Sequence, residues 1–170
     1  FSLYGTVAET IRHAFFQVGS IMTTTGFATT DYNSWPMLSK TILIILMFIG
    51  ACAGSTAGGI KISRITILFK TIKKELHILM HPRLIKKIKV DGHAVPHEVI
   101  RSTNVFIALY FIIFFISFLL ISVDNFDFTS SFTAVAATLN NIGPGLDMVG
   151  PTGNFAGFST FSKFVLMFDM

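Results

Sequence analysis

The chain has 170 residues, 52% of them hydrophobic and 13% charged, with 19 phenylalanines, a mean hydropathy of +0.68 and a formal net charge of +4. An ordinary soluble domain carries about 25% charged residues, so this balance excludes that class and points to a chain that meets a lipid bilayer. The single cysteine, Cys52, excludes an internal disulfide.

The first element, TVAETIRHAFFQVGSIM over 6–22, carries Glu9, Arg12 and His13 in its first half and apolar residues in its second. It is too polar to cross, and reads as a half-helix that enters the membrane and returns, with His13 at the interface. TTTGFATTD follows, a glycine-centred turn with five hydroxyls after the helix and no nucleophile–base pair. The hydroxyls of Thr23, Thr24 and Thr25 either bond locally or serve as ligands, Thr24 being the preferred ligand. Asp31 lies just outside the turn, while Tyr32 and Trp35 suit an outer aromatic belt.

Residues 39–80 form an apolar segment interrupted by GACAGSTAGGIKIS, Gly50 to Ser63. A phosphate-binding P-loop needs a lysine directly after its last glycine, whereas here Ile60 separates Gly59 from Lys61. A small-residue packing seam and a broken helix remain; with about 1 kcal/mol lost per helical glycine, the break is the expected form. Lys61 at its inner end either repels cations or snorkels to the membrane boundary.

Ten of the 13 Lys and Arg fall between Lys61 and Arg101, which makes the connector 81–100 cytoplasmic by the positive-inside rule. That charge needs no nucleic acid to explain it. His77 and His81 stand at helical spacing without a carboxylate or cysteine to complete a metal site. Residues 102–123 run without a charge, enough at 1.5 Å per residue to span roughly 30 Å of hydrocarbon, so 101–123 is a transmembrane helix. TSSFTAVAATL over 129–139 is about 16 Å long as a helix and too short to cross. It precedes a second glycine turn over 140–145, with Asp147 just beyond. The closing SKFVLMFDM reads as the opening of a helix, so the chain reads as a fragment of a longer membrane protein.

Placing Gly26 on Gly143 lays AFFQVGSIMTTTGFATT over SFTAVAATLNNIGPGLD without a gap, and Ser39, Lys40, Ile42 and Leu43 then match Ser162, Lys163, Val165 and Leu166 after a longer loop. This is an internal repeat of about 120 residues: transmembrane helix, re-entrant half-helix, glycine turn, transmembrane helix. Non-helical backbone at membrane depth is tolerated only where it is buried in protein or lines a water-filled cavity. A half-helix that ends there directs about half a negative charge toward it, which favours cations. Carbonyls around such a glycine can replace a dehydrated ion's water shell, as in the potassium-channel filter TVGYG. On that template Thr24, Thr25, Gly26, Phe27 and Ala28 fall under one copy, and Asn141, Ile142, Gly143, Pro144 and Gly145 under the other.

The two glycine turns, the loop GACAGSTAGGIK and the repeat resemble the ion-conducting subunit of the Trk/Ktr/HKT superfamily of potassium transporters. The resemblance implies an all-α membrane protein of potassium-channel-like repeats around one pore. Residues 1–80 would be the third repeat without its first helix, 81–100 a cytoplasmic connector, and 101–170 the fourth repeat truncated in its last helix. It implies that potassium is the transported ion, held mainly by backbone carbonyls of Thr24, Thr25, Gly26, Phe27, Asn141, Ile142, Gly143 and Pro144, with no organic cofactor. Only the central glycine of TVGYG is kept, so sodium is a possible second ion and symport an open mode. The interrupted helix would be a gate below the filter, made of Gly50, Ala53, Gly54, Ser55, Thr56, Ala57, Gly58, Gly59 and Lys61. A homodimer in the bacterial inner membrane and a cytoplasmic nucleotide-binding regulatory subunit are implied as well, with an arginine of the last helix falling beyond Met170. Two other classes remain: a membrane-bound nucleotide-binding enzyme using GSTAGG, and a non-conducting assembly subunit.

Overall fold

The computed structural model describes residues 4–52, 54–81 and 88–170; Ala53, one of the expected gate residues, and residues 82–87 of the connector lie outside it. Helix α1 (Val7–Met22) starts where Thr6 Oγ1 accepts the Glu9 N–H, and Glu9 sits in the first turn, where its charge complements the helix N-terminus. After a 3₁₀ turn over Tyr32–Ser34, helix α2 (Met37–Phe48) runs to the glycine-rich loop, and helix α3 (Ile62–Met80) resumes beyond it. The expected segment 39–80 is thus two helices. A parallel bridge of β1 (Ile49–Gly50) with β2 (Ile60–Lys61) pinches the ends of the loop together.

A β3–β4 hairpin (Lys89–Val90, His93–Ala94) turns through Asp91 and Gly92, both at positive φ, the conformation that a two-residue Asp-Gly hairpin loop requires. Helix α4 (His97–Ile121) follows Pro96 at its N-cap and begins four residues before the expected Arg101, as α2 begins after Pro36. The extended backbone at each of these prolines lets the helix start immediately after it. Among the described residues, one helix, His97–Asp124, is long and apolar enough to cross a membrane. Helices α5 (Phe128–Leu139) and α6 (Thr160–Asp169) complete the chain, capped by Asp127 and Ser159.

Helix α5 is the centre of the packing. Its run from Thr133 to Thr138 is buried, and the small side chains of Ala134, Ala136 and Ala137 let α4, α6 and α2 approach it closely. Phe114, Phe118 and Phe128 pack on Phe132 at ring separations of 5.0, 5.9 and 5.7 Å. Phe48 at the end of α2 joins the same cluster through Phe114 at 5.3 Å. Each half-helix is thereby fixed against the helix that follows its turn, α1 against α2 and α5 against α6.

Candidate functional site: two glycine turns and the loop beneath them

The two half-helices end in the same way. Thr24 and Asn141, both at φ 54°, occupy the left-handed position directly after the helix. Thr24 N–H bonds Ile21 O at 3.1 Å and Thr25 N–H bonds Ser20 O at 2.9 Å; Asn141 N–H bonds Thr138 O at 2.9 Å and Ile142 N–H bonds Ala137 O at 2.8 Å. This is one Schellman motif made twice, at positions the repeat equates. The glycines therefore do not perform the common task of closing a helix, because Thr24 and Asn141 do so. Gly26 and Gly143 come two residues later, at φ 76° and 105°, and turn the exposed backbone itself. A left-handed threonine is strained, by about 1–2 kcal/mol, a cost found characteristically at functional positions.

The carbonyls of Thr24, Thr25 and Gly26, and those of Asn141, Ile142, Gly143 and Pro144, accept no hydrogen bond among the described residues. Phe27 differs from its expected place. Its oxygen accepts Ser20 Oγ–H at 2.6 Å and so faces the half-helix. The threonine hydroxyls also divide. Thr23 Oγ1 donates to Gly19 O at 2.7 Å and lies 2.7 Å from Thr25 Oγ1, which is local bonding, whereas Thr24 Oγ1 accepts the Gly58 N–H at 3.4 Å. The preferred side-chain ligand thus reaches the loop below. The turns meet each other as well, since a Cβ on Gly26 would overlap the Ile142 carbonyl and press on Pro144 Cδ.

The interrupted segment forms a compact Ω-type loop. A Cβ on Gly50 would overlap Gly58 O, one on Gly58 would overlap Asn140 O, and one on Gly59 would stand 2.9 Å from Asn140 Oδ1. The loop is thereby seated on the foot of the second turn. Ala57 N–H bonds Ser55 Oγ at 3.1 Å, and Lys61 Nζ donates to Ser55 O, so the ammonium is folded into the loop and does not snorkel away from it. Thr56 is exposed and Gly54 has open space around its Cα.

Sequence reasoning assigns no role of their own to Asn140 and Asn33 and gives Tyr32 a different one. Asn140 is fully buried, accepting Tyr110 Oη–H at 2.7 Å and donating to Ala136 O at 2.6 Å. Tyr32 is no belt anchor: it is 0% exposed and donates its hydroxyl to Gly145 O at 2.9 Å. Burial and the neighbouring Asp31 carboxylate raise its phenol well above the ordinary value, which keeps it a donor. Asn33 bonds the backbone of Asp147, another non-glycine residue in the left-handed region, at φ 54°. Asp31 caps the 3₁₀ turn, and His13 Nδ1 lies 3.0 Å from Thr29 Oγ1 just past the first turn. The aspartate–asparagine pattern in DYN is the one local signal of this arrangement, because such residues favour side-chain-capped turns.

Comparison with known proteins gives one answer along the whole chain. The TrkH family model, described as cation transport protein, matches residues 5–170. The Trk system potassium uptake protein TrkH of Salmonella typhimurium is 40% identical over 169 residues, which is 99% of this chain and 35% of that protein. TrkG of Escherichia coli, another Trk system potassium uptake protein, is 44% identical over 135 residues, 78% of this chain and 27% of that protein. The crystal structure of the potassium transporter TrkH from Vibrio parahaemolyticus superimposes with a TM-score of 0.87 at 40% identity, covering 98% of this chain and 35% of that one. The chain thus spans about a third of the length of these relatives, and its all-α fold is theirs. Paired glycine turns on half-helices, matched end to end by sequence and by structure, place the chain in the TrkH cation transport family of membrane proteins.

Proposed function

We propose that this chain contributes two adjacent repeats to a potassium uptake pore. The observation that carries this reading is the pair of equivalent turns in which a row of carbonyls has no hydrogen-bond donor among the described residues while the backbone turns at Gly26 and Gly143. Carbonyls that no protein donor engages are free to replace an ion's water shell, and a dehydrated cation takes several of them at once. The ligand row consists of the Thr24, Thr25 and Gly26 oxygens from one turn and the Asn141, Ile142, Gly143 and Pro144 oxygens from the other; Phe27 contributes its place in the turn while its oxygen is held by Ser20. Relatives that are uptake proteins favour this over an enzyme reading of GSTAGG, and the transported ion is the only ligand the site requires.

The loop from Gly50 to Lys61 serves as the gate under the row, seated by its glycines on Asn140 and tied to Thr24. Residues 1–80 and 101–170 act as third and fourth repeats in the bacterial inner membrane, the basic connector 81–100 lies in the cytoplasm and meets a nucleotide-binding regulatory subunit, and the complete protein works as a homodimer. The test is substitution of either glycine by valine in the complete protein reconstituted in liposomes. Each variant is expected to insert normally and to lose potassium uptake or its preference over sodium, and Gly26→Ser is expected to reduce uptake less while admitting more sodium. Unchanged potassium-to-sodium preference in both valine variants would overturn the assignment.

A further inference from the structure

The loops that leave the two glycine turns are joined outside them by bonds that the ligand row does not use. Tyr32 donates its hydroxyl to Gly145 O at 2.9 Å. Asn33 uses both ends of its amide on one residue: Oδ1 accepts Asp147 N–H at 2.8 Å and Nδ2 donates to Asp147 O at 3.2 Å. Its amide nitrogen fills a cradle at Gly150, where a Cβ would overlap it. Asp31 holds the pair in place, accepting the Asn33 N–H at 2.9 Å and the Thr152 hydroxyl at 3.4 Å, and Trp35 packs edge-on against the Tyr32 ring at 6.3 Å. On the receiving side, Gly145 N–H bonds Val149 O at 2.7 Å and Leu146 N–H bonds Thr133 Oγ1 at 2.9 Å. The clamp therefore connects the outer loop of one repeat to a segment anchored on α5 of the other.

Gly145 O is the next oxygen after the row that ends at Pro144. Peptide units are rigid planes about 3.8 Å from Cα to Cα, so a displacement of Gly145 is carried within two units to the Gly143 carbonyl. Selection between cations of one charge depends on the position and stiffness of such oxygens. Resting on the potassium-pore reading, we infer that Tyr32 and Asn33 are positioning residues for ion selection: they set, from the first repeat, where the carbonyl row of the second turn ends. The Tyr32 phenol draws Gly145 O out of the row, and the Asn33 amide holds Asp147 in the conformation that turns the chain away.

The test uses Tyr32→Phe, Asn33→Ala, Asn33→Asp and the exposed control Asn154→Ala in the complete protein in liposomes, with rubidium uptake competed by potassium and by sodium. Tyr32→Phe keeps the buried ring and removes only the donor. It is expected to lower the potassium-over-sodium preference about three- to tenfold, the worth of one hydrogen bond, and to raise the half-saturating potassium concentration with maximal flux reduced less than about twofold. Asn33→Ala is expected to lose at least as much preference; Asn33→Asp keeps the acceptor for Asp147 N–H and is expected to fall between it and the parent. Flux is normalised to inserted protein, so a variant that merely inserts poorly loses both ions in proportion and keeps the parental preference. That outcome, or parental preference at full insertion in both Tyr32→Phe and Asn33→Ala, would overturn the inference. A parent that carries neither ion with preference would instead overturn the potassium reading, and this inference with it.

Discussion

Gly54 and Gly58 stand in the same loop and differ in what surrounds them. Apart from its chain neighbours, no described residue lies within 4 Å of a Cβ placed on Gly54, whereas one on Gly58 meets the Asn140 backbone. Gly58→Ala in the complete protein is therefore expected to unseat the loop and raise basal cation flux several-fold, and Gly54→Ala to leave it within twofold; equal effects in a liposome flux assay would refute the seating. Tyr32 carries a second prediction. Its phenol is raised above the ordinary value of about 10, so its stabilising contribution is intact below about pH 10 and is lost as pH climbs beyond it. Thermal unfolding in detergent between pH 8 and 11 is expected to show a shallower alkaline loss of midpoint for Tyr32→Phe than for the parent.

At the scale of elements, the break between α2 and α3 concentrates most of the unusual composition. The loop is pinned at its stem by the β1–β2 bridge and internally by Lys61 on Ser55 O. Deleting 53–58 is expected to raise flux in the absence of a regulatory partner. Lys61→Ala should raise it less, since it frees one tie and leaves the glycine contacts with Asn140. A deletion variant that assembles and conducts no faster than the parent would make the loop packing material. The half-helices, the break and both turns were legible because their signals are local: charge confined to one half of 6–22, hydroxyls around one glycine, and four glycines in an apolar run. What was not legible is how separate stretches meet. An aromatic beside Asp31 and near Trp35 reads as interfacial, while the partner of Tyr32, Gly145, lies 113 residues away. The channel template turns the Phe27 oxygen inward and takes no account of Ser20, seven residues back in the last turn of α1. Lys61 offers two alternatives, and its bond to Ser55 O speaks against the snorkelling one by keeping the charge inside the loop.

At the scale of the molecule, the clamp engages the second turn after its glycine, at Gly145 and Asp147, and the loop engages it before, at Asn140; the proposed topology puts the first end outside the cell and the second toward the cytoplasm. With native cysteines replaced, including the exposed Cys52, a cysteine at Asn154 is expected to react with an impermeant thiol reagent from outside the cell, and one at Glu98 only after permeabilisation. Labelling of both from the same side would invert or break the topology.

Thr24 and Asn141 close equivalent helices at the same dihedral with different side chains. In a pore assembled from identical subunits, one codon change alters every quadrant at once, and a position under strain has a single answer. On a duplicated chain each copy mutates alone. Threonine at one site touches the loop beneath through its hydroxyl, while asparagine at the other tolerates the left-handed conformation at little cost. On the potassium-pore reading, a lineage with this architecture can change its ionic preference a quadrant at a time, passing through mixed rings that a symmetric channel never samples.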